Sequence, residues 1–144
     1  MGSVADPTLA MMHLVKDSPT ISFATLGRVF GSELPANEQS SMPRGAVVCS
    51  LVGLGQSPPG VHDYTNIRTA RVDVRSYGAN PLAAMNLCLE IDRYLQTLRR
   101  QNADSVLVFW VKRVSGPVQY RSDPGDWPIA VATYDILYAT TLID

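Results

Sequence analysis

Cysteine and histidine, the residues that most often build metal and redox sites, are scarce in this sequence. It contains two cysteines, Cys49 and Cys88, and two histidines, His13 and His62. No pair of them has the spacing of a zinc ligand set. We therefore expect no metal and no cofactor, and both cysteines are predicted to be buried free thiols.

An excess of either charge is also missing, as are long apolar runs. Twelve basic residues face thirteen acidic ones, for a net charge of -1. This balance provides no cationic field to hold nucleic acid or an anionic membrane surface. The longest apolar runs, such as residues 106–111, fall far short of the ~20 residues that cross a bilayer. With no secretory signal pattern at the N-terminus, we expect a cytoplasmic, non-exported chain with no membrane partner.

Sequence motifs of catalysis are missing as well. There is no G-x-S-x-G elbow, and the GLG at 53–55 has neither the later glycine of a dinucleotide fingerprint nor the lysine of a P-loop. Glu90 and Asp92 are too close along a predicted helix to point the same way. The sequence therefore does not predict an enzyme.

What is present is the composition of a folded domain with prominent loops. Hydrophobic residues make up 46% of the 144 residues and charged residues 17%, as in an ordinary globular protein. At this length one hydrophobic core is expected, so residues 1–144 are predicted to form a single domain. Ten glycines and ten prolines indicate many ordered turns.

Two helices are predicted from the same starting signal. Asp6-Pro7 and Asn80-Pro81 each place a capping side chain before a proline, which is the preferred way to begin a helix. The first helix is predicted to stop at Ser18-Pro19. The second should run to about Arg100, because its apolar residues form one stripe: Ala84, Cys88, Ile91, Leu95 and Leu98.

Four strands are predicted from β-branched content and period-two patterns, at residues 44–52, 66–77, 105–114 and 128–140. The segment at 21–35 is predicted to be a loop pinned by Phe30. The sequence thus predicts an α+β fold: a mixed or antiparallel four-stranded sheet with a long helix packed on one face, in the order α-β-β-α-β-β, with long hairpin loops.

A row of charged residues stands out on the second strand. Ala70, Val72 and Val74 alternate with Arg71, Asp73 and Arg75, which share the other face. The row fits a solvated face with cross-strand ion pairs, or a contact between copies of the chain. A small α/β enzyme with this row in a pocket, or a DNA-contacting module using Arg68, Arg71 and Arg75, are the other hypotheses.

Five segments in succession resemble the tail terminator, or tail completion, family of long-tailed bacteriophages. In chain order they are GRVFGSELP at 27–35, MPRGAVVCSLVG at 42–53, RTARVDVRSYG at 68–78, NPLAAMNLCLEIDRYL at 80–95 and WPIAVATYDILYAT at 127–140. Each segment is degenerate by itself. The resemblance lies in their common order over nearly the whole chain.

This resemblance implies a non-enzymatic virion protein of the head-tail junction, assembled in the host cytoplasm. It would form a homo-oligomeric ring, a hexamer in the family, that caps the tail tube protein and meets the head-closure or connector protein. DNA would pass through the central opening without sequence-specific binding. A head-closure or other neck protein is the alternative within this class.

The resemblance also assigns roles to residues. Arg71, Asp73 and Arg75 would lie on a subunit interface or the channel wall. The loops at 55–65 and 117–127 would be docking arms, with these candidate contact residues: Gly55, Pro59, His62, Tyr64, Tyr120, Asp123 and Trp127.

Overall fold

Four helices and six strands make up the part of the chain that a computed structural model describes, which is residues 6–39, 41–54, 67–103, 106–121 and 126–139. In chain order they are α1 (Pro7–Lys16), α2 (Pro19–Thr25), β1 (Val29–Gly31), α3 (Ala36–Gln39), β2 (Ala46–Leu54), β3 (Ile67–Tyr77), α4 (Pro81–Gln96), β4 (Gln101–Ala103), β5 (Val106–Arg121) and β6 (Pro128–Ala139).

The strands form one mixed sheet in the order β1-β2-β3-β6-β5-β4, curled into a half-barrel. β1 runs parallel to β2, and every other neighbouring pair is antiparallel. The long strands β3 and β6 pair side by side at the centre. The two shortest strands, β1 and β4, lie at the two edges of the sheet.

The predicted four-stranded sheet with one long helix is wrong. The sheet has six strands, and α2 and α3 are helices that the sequence analysis had not assigned. The missed strands β1 and β4 have three residues each, too few to show a period-two pattern. The predicted loop at 21–35 holds most of α2 and all of β1.

All three longer helices begin with the same pair of signals. Asp6 Oδ1 accepts the amide of Thr8 at 2.9 Å, and Asn80 Oδ1 accepts the amide of Ala83 at 2.8 Å. Ser18 Oγ likewise accepts the amide of Ile21, so the Ser18-Pro19 pair that ends α1 also starts α2. No described helix is long and apolar enough to cross a membrane.

Hydrophobic residues pack on both faces of the sheet, but unequally. The large core lies on the face covered by α1 and α4 and includes Met11, Leu14, Ile91, Leu95 and Tyr134. A smaller cluster occupies one end of the opposite face, where the chain after β1 folds over Val48, Tyr77 and Ile129. Both cysteines are buried and free, as predicted.

β5 continues well beyond its predicted end. It pairs with β6 from Leu107 to Arg121, with register shifts before and after Ser115. Gly116 allows this continuation, because its φ is +89° and a Cβ there would lie 2.6 Å from the carbonyl oxygen of Val131. The sequence analysis ended this strand at residue 114 and placed a docking loop at 117–127, whereas Gly116-Pro117 is an irregularity within one strand.

The Leu95→Ala variant should lose about 2 to 5 kcal/mol of unfolding free energy, because the buried side chain leaves a cavity beneath α4. Urea denaturation measures the loss. Leu89→Ala is the matched control on the same helix, since Leu89 is 46% exposed, and it should change stability by about 0.5 kcal/mol or less. Equal effects of the two changes would contradict the assigned core stripe.

The Gly116→Ala variant should lower the melting temperature, because the added methyl group meets backbone in a conformation that alanine disfavours. Gly53→Ala provides the comparison in another strand, since a Cβ at Gly53 has no neighbour within 4 Å. Thermal unfolding of both variants tests the point. A Gly116→Ala protein as stable as Gly53→Ala would show that β5 does not need glycine at this position.

Candidate functional site

The face of the sheet opposite α1 and α4, here called the open face, carries a polar belt across four strands. Cross-strand pairing places Ser50, Asp73, Thr133 and Ser115 in one row, and Gly53, Arg71, Asp135 and Lys112 in the next. Alternation along each strand turns these side chains away from the main core. The predicted row on β3 is therefore the centre of a wider arrangement.

Hydrogen bonds between β3 and β6 organise the belt. Arg71 donates from Nε to Asp135 Oδ1 at 2.9 Å and from a terminal nitrogen to Oδ2 at 3.2 Å. In the adjacent row Thr133 Oγ1 donates to Asp73 Oδ1 at 2.6 Å. The hydrogen bond to Asp135 raises the pKa of Arg71 further, so this guanidinium stays charged at any physiological pH.

Arg75 stands one row away and bonds differently. A terminal nitrogen of its guanidinium donates to the carbonyl of Ser32 at 2.8 Å, which ties β3 to the segment that follows β1. Its Nε is buried and has no hydrogen-bond partner within the described ranges. The predicted row thus contains two residues paired with β6 and one paired with the chain that leaves β1.

The charges of the belt cancel. Arg71 and Lys112 contribute two positive charges, and Asp73 and Asp135 contribute two negative ones. Each positive residue lies opposite Asp135 on a neighbouring strand. The belt therefore presents hydrogen-bonding groups but no net charge, and it has no electrostatic attraction for a polyanion.

A cleft of about 410 Å³ opens at one end of the belt. It is lined by aliphatic residues of β2, including Val52 and Leu54, and by the Arg71–Asp135 pair. The described lining residues include no histidine, cysteine or serine. Among the described residues, no group of three metal-binding side chains could hold an ion.

The predicted docking residues are only partly placed. Gly55, Pro59, His62, Tyr64 and Asp123 lie outside the described residues. Tyr120 is in β5 rather than in a loop, and its side chain is exposed opposite Ile129. Trp127 is half-buried and packs edge-on against Tyr77, with 6.4 Å between ring centroids. The second arm therefore begins as strand and ends against the smaller apolar cluster.

Several belt residues were missed by the sequence analysis, namely Ser50, Lys112, Ser115, Thr133 and Asp135. The last strand does alternate in its sequence, and a period-two reading puts Thr133 and Asp135 on one side of it. What the sequence lacked was the register that sets them opposite Asp73 and Arg71. Lys112 and Ser115 were hidden further by the register shifts of β5.

A second cluster of polar side chains lies on the face of the sheet that is covered by the helices. Asp92 of α4 accepts a hydrogen bond from the buried Tyr134 hydroxyl at 3.0 Å and from Arg113 at 3.2 Å. Burial first, and then the negative Asp92, raise the pKa of Tyr134. The tyrosine therefore remains a neutral donor, and Asp92 joins α4 to β5 and β6.

Loss of Asp92 should destabilise the protein more than loss of Asp135. Asp92→Ala leaves the buried Tyr134 hydroxyl without its acceptor, at a cost of about 1 to 3 kcal/mol. Asp135→Ala removes an exposed ion pair, which typically contributes about 0 to 1 kcal/mol. Denaturant unfolding of both variants makes the comparison. A larger loss for Asp135→Ala would mean that the belt, and not the helix contact, holds the sheet in place.

Comparison with known proteins gives a similarity of fold. No family model and no curated protein sequence matches the chain. Among solved structures it is similar to a chain of the "Virion of native gene transfer agent (GTA) particle", with 10% sequence identity and a TM-score of 0.58. The match covers 92% of this chain and 96% of the other. The likeness therefore extends over the whole architecture.

Proposed function

We propose that this protein is a structural, non-enzymatic component of a phage-like virion, and that it acts as the tail terminator. In this proposal several copies form a ring, six in the family that the sequence resembles. The ring caps the last ring of the tail tube protein and offers its other side to the head-closure or connector protein. It is assembled in the host cytoplasm and resides at the head-tail junction.

The fold match supports the first part of this proposal, a structural protein of a phage-like virion. The similar chain belongs to a virion particle, and the two chains correspond over nearly their full lengths. The five family-like segments supply a second, independent argument, because they overlap β1, β2, β3, α4 and β6 in order. The described surface adds a third, since the cleft beside the Arg71–Asp135 pair is lined by aliphatic side chains and an ion pair.

The open face is proposed to line the central opening. Its belt is neutral as a whole, and its ion pair and its Thr133–Asp73 hydrogen bond are completed within one chain. Such a wall would let DNA slide, whereas a strongly cationic wall would retain it through counterion release. Arg71 and Asp73 are therefore assigned to the channel wall, and Arg75 to the boundary with the chain after β1.

Purified protein should form rings with a mass several times that of the monomer. Light scattering coupled to gel filtration measures the mass, and negative-stain images show whether there is a central hole. Tail tube protein from the same virion should bind one side of the ring and stop elongating. Protein that stays monomeric at all concentrations, even with tube protein added, would contradict the proposal.

The Asp73→Lys variant should still assemble but should bind double-stranded DNA at low salt. The change adds two positive charges per copy to the proposed channel wall, and the affinity should fall steeply as salt rises. Asp73→Asn is the control, because it can still accept from Thr133 and adds only one charge unit. Loss of assembly in Asp73→Lys alone would place Asp73 between subunits instead.

A further inference from the structure

Two strands of the sheet have outer edges that are only partly paired. β1 covers β2 at Val47–Cys49, and β4 covers β5 at Val106–Val108. The rest of each outer edge has no strand partner within the described part of the chain. Both uncovered stretches expose large apolar residues, among them Leu54 on β2 and Val114 on β5. A solitary protein usually protects such edges.

The two uncovered stretches lie at the same level along the strand direction. Following the register across all four strands, Ser50 is level with Ser115, Gly53 with Lys112, and Leu54 with Val111. Residues 50–54 and residues 111–115 are therefore two windows of five residues on opposite edges of the half-barrel. A rotation about an axis close to the strand direction would bring one window against the other.

The strand directions suit this contact. β2 is antiparallel to β3, β3 to β6, and β6 to β5, so β2 and β5 run in opposite directions. Rotation about an axis close to the strands keeps the strand directions of the neighbouring copy. The β2 strand of that copy would therefore run antiparallel to the β5 strand of the first copy. On β2, the residues just before the window are paired with β1. On β5, β4 pairs with residues before the window, and Gly116-Pro117 interrupts the strand just after it.

Charge at the two edges is also complementary. Glu33 is the second residue after β1, next to Ser32, whose amide donates to the carbonyl of Cys49 at 2.7 Å. Lys112 lies within the window of β5. Both are exposed, and neither has an ion-pair partner in the described ranges. An edge-to-edge contact would bring an unpaired anion of one copy near an unpaired cation of the next.

We propose that residues 50–54 of one copy pair as an antiparallel strand with residues 111–115 of the next copy, so that the sheet and its polar belt continue around the ring. The occupant of each free edge is thus a second copy of this chain. The contact is heterologous, as closure of a ring by rotation requires. It rests on the ring proposed above and specifies which edges form it.

Cross-linking between two variants that each carry one added cysteine tests the pairing. Ser50→Cys and Ser115→Cys place thiols on the open face at the same level, and directly opposed strand residues have Cβ atoms about 4.5 to 5.5 Å apart. Gly53→Cys with Lys112→Cys samples the next row. The native thiols should stay unreactive, because burial raises the pKa of Cys49 to about 12 and of Cys88 to about 11.

Each mixture, once oxidised, should give disulfide heterodimers with at least one of the two pairs, and each variant alone should give few dimers. Ser50→Cys mixed with Gln96→Cys, an exposed position on α4, is the control. Homodimers of Ser115→Cys without heterodimers would overturn the proposal in favour of a symmetric β5–β5 contact. Rings that form normally but never cross-link would overturn the edge assignment while leaving the ring intact. Absence of rings would contradict the proposed function itself.

Charge reversal provides a second readout that does not depend on disulfide geometry. Glu33→Lys and Lys112→Glu should each raise the concentration for half-assembly about three- to tenfold at low salt. An equimolar mixture should assemble like the parent, because every contact then joins opposite charges. Unchanged assembly of both single variants would contradict the proposed contact.

Discussion

The antiparallel register between β3 and β6 is the constraint on which the rest of this structure depends. Eleven residue pairs hold it, from Ile67 opposite Ala139 to Tyr77 opposite Ile129. It places Val72 and Tyr134 in the main core while setting Arg71 opposite Asp135 on the open face. A slip of one residue would turn the charged row towards α4 and expose the core, so the hydrophobic pattern and the belt specify the same register.

The two faces of this strand pair have different roles: one packs against the helices, and the other carries the polar belt. On one side α4 packs over the sheet and Asp92 fixes it to Tyr134 and Arg113, so that the sheet has a rigid backing. On the other side most polar groups find partners within the sheet plane. The belt is therefore formed before any partner arrives, which lowers the ordering cost of an assembly built on it.

Much of the central architecture could be predicted from the sequence, and the edges could not. Strands β2, β3 and β6 and the helix α4 are long and periodic, and their proline starts or β-branched runs located them to within a few residues. β1 and β4 are too short for a pattern, and they exist because longer neighbours offer them hydrogen bonds. The charged row was visible on β3, but its partners Thr133 and Asp135 depend on a pairing that no local signal encodes.

The weak local signals at the edges are themselves consistent with an assembling protein. In a protein that stays monomeric, an edge strand is usually covered along its length or interrupted by charged residues and proline. Here β1 and β4 each cover three residues. The window on β5 carries two charged residues, Lys112 and Arg113, and Arg113 is bonded to Asp92 on the helical face. Each window contains one register shift, and a further irregularity lies at Gly116, just beyond the window on β5. The chain thus restricts where pairing can occur without preventing it. Because the two windows run in opposite directions at the same level of the sheet, the uncovered edges that would be an aggregation risk in a monomer would define one contact in the proposed ring.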